Sequence, residues 1–103
     1  MGTLMKAIST HEIPNNQGKV VEINGTTIAL FNVNGQFCAI ANTCPHRGGP
    51  LGEGDLEGSV VTCPWHGWQF DVTTGKSPVN PAASVKTFPC KIEGSDVFVE
   101  IDP

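Results

Sequence analysis

Two short pairs of cysteine and histidine are the side chains in this sequence best suited to chemistry: Cys44-Pro45-His46 and, after sixteen intervening residues, Cys63-Pro64-Trp65-His66. Soft thiolates and imidazoles together are metal ligands. Glycines follow each pair, in Arg47-Gly48-Gly49-Pro50-Leu51 and in Gly67-Trp68-Gln69-Phe70, so both segments read as loops whose backbone must come close to a bound group. The order of the ligands discriminates between metals. Structural zinc sites group their cysteines in one knuckle and their histidines in another, whereas here each loop supplies one of each. That interleaving suits a centre of two chemically different irons, with thiolates on one and imidazoles on the other. A mononuclear zinc or iron site built from the same four side chains is an alternative. Disulfides are another, since the chain has 4 cysteines, although a bridge using Cys44 and Cys63 would leave His46 and His66 without a role. Cys38 and Cys90 lie in strand-like stretches, Gln36-Phe37-Cys38-Ala39-Ile40 and Thr87-Phe88-Pro89-Cys90-Lys91-Ile92, and read as small apolar core or sheet residues.

Cys44-x-His46 followed by Cys63-x-x-His66, with Gly67 closing the second loop, resembles the signature of the Rieske iron–sulfur family, and the resemblance extends over most of the chain. It implies one Rieske-type [2Fe–2S] cluster held by Cys44, His46, Cys63 and His66, in loops at about residues 43–52 and 63–70. It also implies a single Rieske domain over 1–103, an all-β antiparallel sandwich with the cluster loops at hairpin tips. A proline-containing segment covers the third side of the cluster in this family, and Ser77-Pro78-Val79-Asn80-Pro81-Ala82 is similar in position and composition, though prolines also punctuate ordinary loops. High-potential members of the family place serine and tyrosine hydroxyls near the cluster sulfurs, at positions corresponding to Trp68 and Phe70, and carry a disulfide where Gly49 and Trp65 stand. This chain has neither, and contains 0 tyrosines. The resemblance therefore implies the low end of the Rieske range, about −150 to 0 mV. It points to a ferredoxin serving an oxygenase, with a flavin- or NAD(P)H-linked reductase as donor and a ring-hydroxylating oxygenase or other redox protein as acceptor. A cluster-bearing accessory subunit of a larger reductase, like the small subunit of nitrite reductases, is the second reading.

Charge supports a carrier. Two ferric ions, two sulfides and two thiolates sum to zero, so the oxidised protein keeps the sequence charge of −4 and reduction adds one negative charge beside the histidines. Protonation of His46 or His66 should follow the electron. An acidic carrier is steered to basic docking surfaces and repelled by nucleic acid. Arg47 is the only formal charge between Pro45 and Gly52; it and Trp65 stand where a partner would meet the imidazole edge, while Arg47 equally reads as a solvated loop residue. Enzyme chemistry is excluded by inventory. A mononuclear iron site would need two further histidines, and of 3 histidines only His11 is uncommitted; no Ser–His or Cys–His pair is free for nucleophilic catalysis. The first residues lack the apolar region of a secretory signal, and no apolar run approaches a membrane span, so a cytoplasmic protein without membrane contact is expected. Lys6 stands where a myristoylation signal wants Ser or Thr.

The elements that must position these loops read as strands. Asn24-Gly25 separates strands at 19–23 and 26–33, and Asn34-Gly35 separates the latter from 36–42, because Asn-Gly tolerates the positive φ of a tight hairpin. Residues 59–62 lead into the second loop, 68–72 leave it, and 73–76 form a turn. Residues 83–92 and 97–101 bracket Gly94-Ser95-Asp96 as a last hairpin, with Val97, Val99 and Ile101 alternating inward. Ser9-Thr10-His11-Glu12 carries a capping-box pattern, but Pro14 limits any helix there to one turn.

Overall fold

The computed structural model describes residues 3–43, 49–65, 67–80 and 82–101. Both Asn-Gly pairs adopt positive φ at each residue, 51° and 81° at Asn24 and Gly25, 52° and 95° at Asn34 and Gly35. This is the geometry whose twist matches flanking antiparallel strands. It links β2 (Gln17–Ile23), β3 (Thr26–Val33) and β4 (Gln36–Ala41) into the expected meander. β8 (Thr87–Phe88) completes this sheet beside β4, giving the order β2-β3-β4-β8. A second sheet, ordered β1-β10-β9, joins β1 (Thr3–Ser9), β10 (Asp96–Ile101) and β9 (Cys90–Glu93). A third joins β5 (Asp55–Glu57), β6 (Val60–Thr62) and β7 (Gln69–Asp71) in sequence order. Every strand pair is antiparallel, and the helical turns among the described residues are 3-10 turns at Thr10–Glu12 and Leu51–Glu53. The first is the expected single turn, its Glu12 Oε2 accepting the Ser9 N–H at 3.0 Å.

The β2-β3-β4-β8 sheet is covered on both faces, so β3 and β4 read as continuous apolar runs whose alternate residues enter different cores. Ile28, Leu30, Phe37 and Ala39 pack with Ile8, Val97, Val99 and Ile101 against the β1-β10-β9 sheet. Ala29, Phe31, Cys38 and Ile40 pack on the opposite face with Leu51, Val61, Cys63, Phe70 and Val72 from the loop-bearing sheet.

The structure departs from the sequence reading in three places. Residues 83–92 do not form one strand: Ser84 makes an isolated bridge with Lys76, β8 joins one sheet, and β9 joins another. Pro89 stands at the crossing. It has no N–H for a ladder but offers its carbonyl to the Glu100 N–H at 2.9 Å. β1 and β5 also lie in stretches without a strand expectation. Among the described residues, no helix is long and apolar enough to cross a membrane.

Candidate metal centre

Both loops are held at their necks. The second is the tip of the β6–β7 hairpin, whose register pairs Val60 with Asp71, Val61 with Phe70 and Thr62 with Gln69. Beyond the ladder the Cys63 N–H donates to the Trp68 carbonyl at 2.7 Å, and the Gly67 N–H donates to the Cys63 carbonyl at 3.1 Å. Gly67 has φ +76° there, a conformation that L side chains rarely adopt. The first loop is a hairpin reduced to a single bridge, Thr43 with Pro50. Asn42 clamps it from below: its carbonyl accepts the Leu51 N–H at 2.8 Å and its Oδ1 accepts the Gly52 N–H at 2.8 Å. Asn42 is buried and Leu51 fully so, which fixes the chain as it leaves the first loop.

Of the four predicted ligands, Cys63 lies among the described residues; Cys44, His46 and His66 lie outside them, as do Pro45, Arg47, Gly48 and Pro81. Cys63 is 2% exposed and belongs to the core beneath the loops. Its sulfur faces the first loop. A Cβ placed on Gly49 would come to 2.8 Å from Cys63 Sγ and 3.0 Å and 3.2 Å from Cγ and Cδ2 of Trp65. The two loops therefore meet at a glycine, with a buried thiol on one side and an indole on the other. Trp65 is 58% exposed.

The 77–82 segment closes on itself beside the second loop. The Ser77 Oγ accepts the N–H groups of Val79 and Asn80 at 3.3 and 3.0 Å, and the Ser77 N–H donates to the Ala83 carbonyl at 3.1 Å. Trp68 shares a cavity of about 260 Å³ with Asn80, Ala82, Ala83 and Ser84, and its ring lies 6.4 Å from that of Phe70. Glu53 in the 3-10 turn and Asp55 and Glu57 in β5 are exposed, so the segment that follows the first loop is acidic.

Cys38 and Cys90 belong to strands, as the sequence suggests, Cys38 buried and Cys90 half-buried. Burial pushes the Cys38 thiol up, with the Asp71 carboxylate adding to the effect. It pushes Cys90 up to about 12, with Cys38 contributing less. Such thiols stay protonated and unreactive at neutral pH. Sequence reasoning overlooked Asn42 as the neck clamp; its signal was a polar amide ending an apolar strand directly before Thr43-Cys44.

A buried thiol, a glycine cradle that a Cβ would fill, and a donor set of two thiolates and two imidazoles fit a sulfide-bridged iron pair. Fold and loops together define a small β-protein organised around an iron–sulfur centre. The family model for the Rieske [2Fe–2S] domain matches residues 3–89. The ferredoxin component of the naphthalene 1,2-dioxygenase system of Pseudomonas aeruginosa is 36% identical over 96 residues, covering 92% of each chain. The biphenyl dioxygenase ferredoxin subunit of Pseudomonas sp. (strain KKS102) is 41% identical over 101 residues, covering 95% of this chain and 92% of its own. A chain from the solved complex of reduced oxygenase and oxidised ferredoxin in carbazole 1,9a-dioxygenase superposes with a TM-score of 0.88 at 29% identity, over 96% of this chain and 94% of that one. This chain belongs to the Rieske [2Fe–2S] family.

Proposed function

We propose that this protein is a one-electron shuttle in which Cys44 and Cys63 hold one iron of the cluster and His46 and His66 the other. It takes its electron from a flavin- or NAD(P)H-linked reductase and delivers it to the oxygenase of a ring-hydroxylating system. The observation that carries this reading is the meeting of the two loops at Gly49, where the buried Cys63 sulfur of one loop comes so near the backbone of the other that no side chain fits between them. The relatives named above are ferredoxin components of dioxygenase systems, which supports a carrier rather than a catalyst. When bound, the cluster supplies a one-electron couple with little change in ligand geometry.

The chain's own part is to keep water from the thiolate side and to present a tip that a partner can reach. The apolar core behind Cys63 does the first. The exposed Trp65 at the tip and the acidic flank of Glu53, Asp55 and Glu57 do the second, favouring an acceptor with basic groups around its docking site. The reading takes 1–103 as one Rieske domain working in the cytoplasm, at a potential of about −150 to 0 mV.

The test is electron paramagnetic resonance on dithionite-reduced protein, with a redox titration across pH. A Rieske-type spectrum, with average g below that of all-cysteine clusters, is expected. His66→Cys should lower the midpoint, because a thiolate adds negative charge where an imidazole stood. An unchanged midpoint in a variant that keeps its cluster would sink the ligand assignment.

A further inference from the structure

We infer that Trp65 is a positioning residue whose indole, seated on Gly49, clasps the two loops together over the Cys63 sulfur. The inference rests on the reading of Cys63 as a cluster ligand. A tryptophan 58% exposed at a loop tip contributes little to a hydrophobic core, yet this ring borders the space that a side chain on Gly49 of the opposite loop would occupy. The positions of Gly49, Cys63 Sγ and Trp65 Cγ are mutually exclusive of any Cβ at residue 49. Gly49 and Trp65 therefore specify each other: the glycine admits the ring, and the ring fills the space that the glycine leaves. The contact joins residues 49 and 65, so it ties the end of the first loop to the tip of the second.

Two consequences follow from this placement. The loops are joined by an aromatic contact that needs no oxidation to form, and so holds whatever the redox state of the surroundings. The exposed indole and the buried sulfur border the same point beside Gly49, so removing the ring should open a way for water or a chelator toward the thiolate.

The experiment follows the bleaching of the visible absorbance of the anaerobic holoprotein after adding excess EDTA in urea below the unfolding midpoint. Wild type is compared with Trp65→Ala, Trp65→Phe and Gly49→Ala, and each midpoint potential is measured alongside. Loss of one aromatic packing contact should speed bleaching about tenfold in Trp65→Ala. Trp65→Phe should recover most of the difference, and Gly49→Ala, whose methyl group would crowd both the Cys63 sulfur and the ring, should bleach at least as fast as Trp65→Ala. Admitting water to the thiolate side stabilises the more negative reduced form, so the midpoint should rise in Trp65→Ala, a change that a loss of general stability would not produce. Should Trp65→Ala fail to hold a cluster, Trp65→Phe and Gly49→Ala give the graded readout. Equal bleaching rates and equal potentials across the set would overturn the clasp. Wild type lacking a Rieske-type spectrum would overturn the ligand reading beneath it.

Discussion

Gly54 offers the sharpest test of how the fold positions Cys63. It caps the 3-10 turn after the first loop, its N–H donating to the Leu51 carbonyl at 3.0 Å. A Cβ there would fall within the radius of the Thr62 carbonyl oxygen and come to 3.0 Å from Val61 Cγ2 and 3.1 Å from the Thr62 carbonyl carbon. The obstacle is backbone. Thr62 is held from both sides by the ladder, opposite Asp55 in β5 and Gln69 in β7, and it directly precedes Cys63. Overpacking costs about 1–3 kcal/mol, and a pinned carbonyl that cannot rotate away puts Gly54→Ala near the top of that range, about 3 kcal/mol. With a urea dependence of about 1–3 kcal/mol/M, the unfolding midpoint should drop by about 1–3 M. The cluster spectrum should broaden, because relief comes by moving the strand that carries Cys63. Gly58→Ala is the control: Gly58 has φ +60° with nothing within 4 Å of its Cβ position, so it incurs only the left-handed cost of about 1–2 kcal/mol and should leave the spectrum alone. The assay is urea titration of the holoprotein read by circular dichroism and visible absorbance together. A Gly54→Ala midpoint no lower than that of Gly58→Ala, with an unaltered spectrum, would refute the argument.

Leu30 and Phe31 are both fully buried but face opposite cores. Leu30→Ala should therefore lower stability by about 2–5 kcal/mol in denaturant titrations while the cluster potential stays unmoved. Supplying the hydroxyls that high-potential relatives carry, through Trp68→Ser with Phe70→Tyr, should raise the midpoint by about 40 mV per hydrogen bond made to the reduced cluster, since a net bond is worth about 1 kcal/mol; redox titration of a variant with an intact spectrum decides it. The Cys90 thiol holds its proton more tightly in the folded chain, its pKa rising from 9.0 to about 12. Its stabilising contribution is thus complete below pH 9 and declines as pH climbs from 9 to about 12. The thiol should resist iodoacetamide at pH 8 in the native protein and react once the chain is unfolded. Rapid alkylation of native Cys90 would contradict its burial.

The sequence carried the meander and the second loop because their signals are local. Two Asn-Gly pairs set residues 17–41, and Cys63 with Gly67 sits in a hairpin whose strands flank it directly. β1 was hidden because its partner β10 lies at the other end of the described chain, and Met5, Lys6 and Ala7 prefer helix to strand. Asp55-Leu56-Glu57 carries one apolar residue between two that strands avoid; it is a strand because β6 lies beside it. Pro89 lies inside the stretch read as one strand, and nothing local says that the chain changes sheets there. The spacing of the cysteines and histidines proposed as ligands is a local pattern that the sequence displays directly. The packing of Trp65 on Gly49 was not, since a contact across sixteen residues between two loops has no periodicity to betray it.

The loop-bearing sheet has three strands of 3 residues each, too short to persist alone. It is held by the core beneath it and by whatever ties its loops. The chain should thus contain two tiers of opening. Amides of β3 and β4 should exchange with solvent only on global unfolding, while those of β5 to β7 open more readily and lose protection first when the cluster is removed. A carrier built this way can surrender and reacquire its cofactor without dismantling the framework that recognises it.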